Sequence, residues 1–302
     1  MPISRTDLAD FSYFMAIVRH RNFRRAALEM GVTPSALSHA MTALEERRGV
    51  RLLNRTTRSV SLTAAGEDLC AMIEGPLDRI AEASESLNRF RDAPAGRVRI
   101  NVLEDAVPLL LDPVMPLFVD RYPEVAIDVG VTNRMIDVIA DGFDAGIRYG
   151  GTVPEDMVAR RLSPEIRWIA AAAPAYLERF GSPSDPQDLR NHRCIGIRLG
   201  NDQIYKWEFE RGEEAVEIET PGPLTVDESQ AALAFGRAGV GVVYGAEPVF
   251  RPDLESGALV RILPEWASMG AGFHVYYSGR RQVPTGLRLF IDLIREVRPL
   301  GL

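Results

Sequence analysis

The feature that most restricts the fold of this 302-residue chain is a pair of helix signals separated by only two residues. Asn22 can cap one helix, and Gly31 can end it because glycine tolerates the positive φ of a helix C-terminus. Thr33 can cap the next helix, with Pro34 at its first position, where the missing N–H costs nothing. Two helices joined only by Gly31 and Val32 predict a helix-turn-helix.

The helices on either side of this turn have readable faces. The preceding segment predicts a first helix with Thr6 or Asp7 as its N-cap. Its apolar face comprises Leu8, Phe11, Phe14, Met15 and Val18. The helix after the turn has a predicted core face of Ala36, Leu37, Ala40, Met41 and Leu44. Its other face carries Ser35, Ser38, His39 and Thr42. Short polar side chains there suit base edges in a major groove, although an ordinary solvated face is equally consistent.

A hairpin with a basic tip follows these helices. Strands are predicted at 50–53 and 59–62, and we expect Arg55 and Arg58 in the loop to contact phosphates or a narrow minor groove. Residues 1–66 hold ten arginines and five acids (+5), whereas the remainder holds 25 basic and 37 acidic residues (−12). A basic segment on an acidic body favours a nucleic-acid partner. The predicted DNA-binding residues are Arg24, Thr33, Ser35, Ser38, His39, Thr42, Arg55, Thr57 and Arg58.

These motifs resemble, without a gap, the winged helix-turn-helix of LysR-type transcriptional regulators. The residues that carry the resemblance are Phe23 to Ala27, Gly31 to His39, Leu44 to Glu46, Gly49 to Arg58 and Leu62 to Glu67. Pro34 stands where many members of the family have Gln. A Gln side chain can donate a hydrogen bond to DNA, and a proline cannot. The resemblance implies a regulator that binds a double-stranded DNA operator.

A long helix with a narrow apolar stripe is predicted after residue 63. Its positions recur at spacings of four and three: Leu69, Ile73, Pro76, Ile80, Ala83, Leu87 and Phe90. Such a heptad seam predicts a second copy as partner, with packing on its own domain as the alternative. The family resemblance implies dimerisation through this helix. Gly75 and Pro76 should interrupt and kink it, and residues 92–96 have the composition of a linker.

Strand and helix signals alternate from Arg97 onward, which predicts an α/β body with parallel strands. Strands are predicted at 98–103, 126–131, 145–148, 168–173, 195–199, 215–218, 241–244 and 273–278. Helices are predicted at 106–121, 135–141, 229–238 and 285–297.

The resemblance continues through this body, for example in Phe143 to Arg148 and Trp207 to Phe209. It implies a two-lobed α/β effector domain, like that of periplasmic binding proteins, with a small-molecule cleft between the lobes. The fold class is therefore a largely helical winged helix-turn-helix followed by this α/β domain. The implied divisions are a DNA-binding domain at 1–63, a dimerisation helix at 64–91 and an effector domain at 92–302, with lobe I at 97–166 and 269–302 and lobe II at 167–268.

Charged loops after predicted strands are candidates for this cleft, because ligands of open α/β sheets bind beyond the carboxyl ends of strands. The predicted effector-binding residues are Glu104, Asp105, Arg134, Arg148, Arg198, Tyr205, Asp227 and Glu228. Asp105 and Asp227 are also suited to cap helices. Four carboxylates predict a neutral, cationic or zwitterionic effector.

Features of enzymes and membrane proteins are missing from the sequence. It has no P-loop, nucleophile elbow or dinucleotide fingerprint. Its four histidines and two cysteines, Cys70 and Cys194, lack the spacing of metal ligands or of a disulfide framework, so we expect no cofactor. No apolar run approaches the ~20 residues of a membrane span, and no secretory signal is visible, which predicts a cytoplasmic protein.

Together these observations predict a non-enzymatic transcriptional regulator. Its expected partners are operator DNA, a small-molecule effector, its own copy as a homodimer or dimer of dimers, and RNA polymerase if it is an activator. The alternative is a DNA-binding regulator whose cleft binds no ligand.

Overall fold

The structure is a computed structural model that describes residues 5–55, 60–87, 93–138, 140–153, 157–220, 222–279 and 283–301. The chain divides into two compact units, one formed by residues up to 92 and one by residues from 93 onward, apart from two three-residue segments. The helices are α1 Arg5–His20, α2 Phe23–Glu29, α3 Pro34–Arg48, α4 Ala64–Ser86, α5 Met115–Arg121, α6 Pro174–Phe180, α7 Ser229–Arg237, α8 Glu247–Ser256 and α9 Thr285–Val297. None of the described helices combines the length and apolarity needed to cross a membrane.

The strands of both units are short. They are β1 Leu53–Arg55, β2 Val60–Leu62, β3 Gly96–Val102, β4 Val125–Val131, β5 Ala145–Tyr149, β6 Met157–Arg161, β7 Ile166–Ala172, β8 Ile195–Ile197, β9 Trp207–Arg211, β10 Glu214–Ile218, β11 Leu224–Val226, β12 Val243–Ala246, β13 Val260–Ile262, β14 Ser268–Gly270 and β15 Phe273–Ser278.

In the first unit, α2 and α3 begin where the sequence predicts. Asn22 Oδ1 accepts the Arg24 N–H at 2.9 Å, and Thr33 Oγ1 accepts the Ala36 N–H at 3.2 Å. Gly31, between the helices, has a φ of +65°, which a residue without a Cβ adopts without strain. These contacts confirm the predicted helix-turn-helix.

Two local predictions in this unit are wrong. Thr6 and Asp7 lie inside α1, which already includes Arg5, so neither is its N-cap. Asp7 is buried and instead pairs with Arg48 at 3.1 Å. Ala36 is exposed, so the core stripe of α3 is narrower than predicted. It consists of Leu37, Met41 and Leu44.

The long helix α4 runs continuously through Pro76, so the predicted interruption is wrong. Leu69 and Ile73, near its start, pack against the core of the first unit. Farther along, Ile80 is 53% exposed and Leu87, just after the helix, is 61% exposed. The apolar stripe therefore packs on its own unit at one end and is uncovered at the other. The last predicted seam position, Phe90, lies outside the described residues.

Beside two two-stranded sheets, β8–β11 and β9–β10, the described part of the second unit contains two larger sheets. The first has the order β4-β3-β5-β15-β6, in which β3 is parallel to β4 and β5, and β15 is antiparallel to β5 and β6. In the second, β7 pairs antiparallel with β12, β13 and β14. The prediction of a parallel body therefore holds for only part of the sheets. Short apolar runs identify strands but do not encode strand direction.

The chain passes from the first sheet to the second at residues 162–165 and returns at residues 271–272. These two crossovers are hydrogen-bonded to each other. The Leu162 N–H donates to Phe273 O at 2.7 Å, and the Phe273 N–H donates to the buried Ser163 Oγ at 2.8 Å. A Cβ on Gly272 would overlap the carbonyl oxygen of Pro164, so the crossovers lie in direct backbone contact.

Two predicted helices differ from the structure. The segment 106–121 divides into a π-helical turn, Val107–Leu111, and α5. Pro113 and Pro116 lie around the break, and neither can donate a backbone N–H. The described part of segment 135–141 contains no helix. The predicted helix at 285–297 is confirmed with the same bounds as α9.

Candidate DNA-binding and effector-binding sites

The outer face of α3 carries the polar side chains that the sequence predicts to meet DNA. Ser35, His39 and Thr42 are exposed, and Ser38 is half-buried. Thr33 Oγ1, which caps the helix, lies 3.0 Å from Ser35 Oγ. These groups occupy the N-terminal part of α3, which is the part of a recognition helix that reads base edges.

Arg55, at the end of β1, folds back onto α3. Its guanidinium donates to Glu45 Oε2 at 2.8 Å, to Thr42 Oγ1 at 3.2 Å and to Ser38 Oγ at 3.4 Å. The same group lies over the Phe23 ring, 5.2 Å from its centre. Arg55 thus holds side chains of α3 in place, while its contact with phosphate or a narrow minor groove stays a prediction.

Glu45 anchors the hairpin to α3 through its other oxygen. Oε1 accepts the backbone N–H groups of Leu52 at 2.8 Å and Leu53 at 3.0 Å. The first strand accordingly starts at Leu53 instead of Val50. Sequence reasoning missed this role. Glu45 lies in the last turn of α3, where the helix dipole disfavours a negative charge. An acid at such an unfavourable position indicates that it has a specific hydrogen-bond partner.

The remaining predicted DNA contacts lie on α2 and in the hairpin loop. Arg24 is exposed on the first turn of α2. Thr57 and Arg58 lie outside the described residues. The structure therefore brings together the α3 residues and Arg55, and it does not test the tip of the wing.

In the second unit, the loops after β3, β4, β8 and β11 line a cleft of about 930 Å³. Because β3 is parallel to β4 and β8 is parallel to β11, the carboxyl ends of each pair lie side by side. Five of the predicted effector-binding residues line this cleft: Glu104, Arg134, Arg198, Asp227 and Glu228. Seven further lining residues were not among the predicted ones: Val131, Thr132, Asn133, Met135, Leu199, Gly200 and Asp202.

Glu104 connects the two sides of the cleft. Its Oε2 accepts the N–H of Ser229, the first residue of α7, at 3.0 Å. Its backbone N–H donates to Asn133 Oδ1 at 3.0 Å, and Asn133 Nδ2 donates to Asp227 O at 2.8 Å. The carboxylate of Glu104, which follows β3 of the first sheet, therefore caps α7, which follows β11.

Asp105 does not act as predicted. It is only 5% exposed, and its Oδ2 accepts the Tyr149 hydroxyl at 2.9 Å. Burial raises the pKa of Asp105 to about 6, although hydrogen bonds from Tyr149 and Ser229 act in the opposite direction. The N-cap prediction is wrong for Asp105 and for Asp227, because neither following helix has a cap from these side chains.

Arg148 and Tyr205 are not among the residues that line the cleft. Arg148 is buried and donates to the Asn101 side chain, to Ile147 O at 2.9 Å and to Arg134 O at 3.3 Å. Its burial lowers the pKa of the guanidinium. Arg148 therefore holds the backbone of the cleft loop in place.

Tyr205 lies in an aromatic cluster, with its ring centre 6.2 Å from that of Tyr244 and 6.1 Å from that of Trp168. This packing accounts for Tyr205 without a ligand contact. No group of three histidine, cysteine or acidic side chains within the described ranges is arranged to hold a metal ion.

Profiles of known protein families match both units. The bacterial regulatory helix-turn-helix of the lysR family matches residues 8–67, and the LysR substrate binding domain matches residues 91–299. The chain belongs to the LysR family of transcriptional regulators. It is a DNA-binding transcriptional regulator with a substrate-binding domain.

Relatives of this LysR-type regulator match over almost their full length. It is 37% identical over 298 residues to a transcriptional regulator of Pseudomonas aeruginosa, with 98% of this chain and 97% of that protein covered. It is 34% identical to the HTH-type transcriptional regulator YcaN of Escherichia coli, with 96% and 95% covered.

Solved structures share the fold of this LysR-type regulator. The full-length virulence activator AphB of Vibrio cholerae has a TM-score of 0.67 and 24% identity, covering 96% of this chain and 99% of that one. The LysR-type regulator CrgA of Neisseria meningitidis has a TM-score of 0.60 and 26% identity, covering all of both chains.

Proposed function

We propose that this LysR-type regulator recognises a specific operator through α3 and the β1–β2 hairpin, and that a small molecule in the cleft modulates its activity. The observation that supports DNA recognition best is the polar face of α3 held beside Arg55. Ser38 and Thr42 are hydrogen-bonded to a guanidinium that is itself fixed by Glu45. Side chains fixed in this way can meet base edges without a large loss of rotamer entropy.

The proposal includes a homo-oligomer and the division into domains at 1–63, 64–91 and 92–302, with the lobes at 97–166 plus 269–302 and at 167–268. The uncovered apolar side chains at the end of α4, Ile80 and Leu87, support a helix-to-helix interface between copies. Action on the chromosome places the protein in the cytoplasm. If the regulator activates transcription, RNA polymerase is a further partner.

The DNA-binding part is tested by fluorescence anisotropy of the full-length protein on the intergenic DNA beside its own gene and on a scrambled duplex. Ser35→Ala and His39→Ala should weaken specific binding by roughly tenfold each while leaving binding to the scrambled duplex nearly unchanged. Ser12→Ala, which removes a hydroxyl from α1, serves as the control. Equal losses on both duplexes would show that these side chains do not read bases.

The effector part is tested by thermal denaturation against a metabolite library. A ligand that binds the folded protein raises its melting temperature by mass action. Asn133→Ala removes two hydrogen bonds at the cleft and should abolish a cleft-specific shift. A library without any stabiliser favours the alternative, a regulator whose cleft binds no ligand.

A further inference from the structure

The N-terminus of α7 is occupied by a carboxylate from across the cleft. Free N–H groups and the helix dipole make such a terminus attractive to anions. The N-cap residue of α7, Glu228, forms no side-chain cap. Instead, Glu104 Oε2 accepts the Ser229 N–H at 3.0 Å and lies 3.5 Å from Asn133 Nδ2. The chain's own side chain thus fills the position that the carboxylate of a ligand would take.

The charges around this contact are mostly negative. The cleft is lined by four carboxylates, from Glu104, Asp202, Asp227 and Glu228, and by two guanidinium groups, from Arg134 and Arg198. Both arginines are exposed, as are all the carboxylates except that of Glu104, which is half-buried. Glu104 is therefore the least exposed charged side chain that lines the cleft, and both arginines are open to solvent.

A second acid, which is more deeply buried, follows Glu104 in the chain. Asp105 is 5% exposed, and its Oδ1 has no hydrogen-bond partner among the residues described. It shares Ser229 with Glu104. A ligand anion next to this pair would meet two acids at reduced dielectric, whereas a ligand cation would gain a charge-assisted hydrogen bond.

We infer that the cleft selects a ligand whose inner end is a protonated amine or guanidinium, and that Glu104 determines this selectivity by acting as an internal substitute for a ligand carboxylate. The inference rests on the proposed effector role of the cleft. Glu104 has two functions in it: one oxygen holds α7, and the carboxylate as a whole supplies the negative charge that meets the ligand. Ligands that are simple anions are excluded because their binding position is already filled.

The first experiment asks whether the anion position exists. The full-length protein, Glu104→Ala and Glu104→Gln are melted with increasing sodium acetate, against sodium chloride at equal ionic strength and constant pH. Acetate should raise the melting temperature of Glu104→Ala saturably, by about 3 °C at tenfold excess over its Kd, because it restores the missing carboxylate. The unaltered protein should not respond. Glu104→Gln should respond little, because its amide oxygen still accepts the Ser229 N–H.

The second experiment asks which charge the unaltered cleft accepts. Short straight-chain diamines and dicarboxylates of equal length are titrated by calorimetry into the full-length protein. Diamines should bind, and Glu104→Gln should weaken them by about tenfold or more, because the charge is lost and the shape is kept. Asp202→Asn, which removes an exposed carboxylate of the same cleft, is the matched control and should have a smaller effect.

The outcomes separate this inference from the proposed function. Saturable acetate binding to the unaltered protein, or dicarboxylate binding that Asn133→Ala abolishes, would overturn the inference and leave the effector role intact. Diamine binding that survives Glu104→Gln would remove Glu104 as the selecting residue. If neither ligand series binds and acetate does not stabilise Glu104→Ala, the inference fails, and the effector role is decided separately by the metabolite library.

Discussion

Arg55 on the hairpin donates to Glu45 on α3 across 2.8 Å. This ion pair joins the two elements that the proposed DNA interface requires, because Glu45 also accepts two backbone N–H groups at the start of the hairpin. Removing Glu45 would break both links between the hairpin and α3, whereas removing Arg55 would break only the ion pair. We therefore expect the pair to affect recognition through geometry and not only through charge.

Arg55→Ala tests this role. If Arg55 positions Ser38 and Thr42, its loss should weaken specific binding about tenfold. The slope of log affinity against log salt concentration should change by less than the loss of one phosphate contact would cause. Arg24→Ala is the comparison, since an exposed arginine that contacts phosphate should weaken specific and non-specific binding together. The measurement is anisotropy at several salt concentrations. Parallel losses for Arg55→Ala on both duplexes, with a slope reduced by about one, would restore its expected role as a phosphate contact.

Ile80→Asp and Leu87→Asp test the uncovered end of α4. An aspartate at a helix-to-helix interface would be buried without a partner, which costs several kcal/mol. We expect each variant to sediment as a monomer at low micromolar concentration and to lose operator affinity. Met72→Asp is the control, because Met72 is 76% exposed on α4 and lies off the heptad seam. Variants that remain dimeric would place the interface on another surface.

Asp105→Asn should alter the pH dependence of stability. Burial raises the pKa of Asp105 from 3.8 to about 6, so the folded protein keeps this proton to a higher pH than the unfolded chain. The contribution of Asp105 to stability is therefore greatest below pH 4 and falls as the pH rises through 6. An asparagine does not titrate, and its side-chain oxygen can still accept the Tyr149 hydroxyl.

The free energy of unfolding of Asp105→Asn, relative to that of the unaltered protein, should thus increase by about 2.4 kcal/mol between pH 4 and pH 7.5. Urea denaturation at a series of pH values measures this difference. Tyr149→Phe removes a hydrogen bond that lowers the pKa of Asp105, so the pH range of the effect should shift upward. If the free energies of unfolding of Asp105→Asn and of the unaltered protein differ by the same amount at every pH, the raised pKa of Asp105 is contradicted.

Gly200→Ala tests the contact across the mouth of the cleft. A Cβ on Gly200 would lie 2.5 Å from Asn133 O and 2.5 Å from Met135 N, so the loop must move away from that backbone. The Met135 N–H, which donates to Gly200 O at 3.4 Å, should then exchange with deuterium more than about tenfold faster. Gln203→Ala, an exposed change in the same loop, should leave this exchange unchanged. Unaltered exchange in Gly200→Ala would show that the contact is dispensable.

Local signals predicted the DNA-binding unit well. Caps at Asn22 and Thr33, and a glycine at the turn, are contacts between residues close in sequence, so the residues alone specify them. The exposed polar face of α3 followed from helical periodicity. The position of Arg55 did not follow from the sequence, because an arginine in a hairpin can point outward or back toward the helices. Its direction is set by its contact with Glu45 on another element.

The cleft was predicted less completely, since its contacts join distant parts of the chain. Residues after parallel strands did come together, as the strand-end rule requires. The rule does not say which side chain of a pair enters the cleft, so Glu104 lines it while Asp105 is buried behind it. The cap of α7 comes from 125 positions earlier and has no local signature.

The paired crossovers at residues 162–165 and 271–272 have a mechanical consequence. Because the two backbone segments are hydrogen-bonded side by side, we expect them to resist sliding and twisting of the two sheets more than a tilt about the crossovers. The tilt between the two sheets would then be the one variable that sets the width of the cleft. A pair of fluorescent labels, one on each sheet, would measure such a tilt.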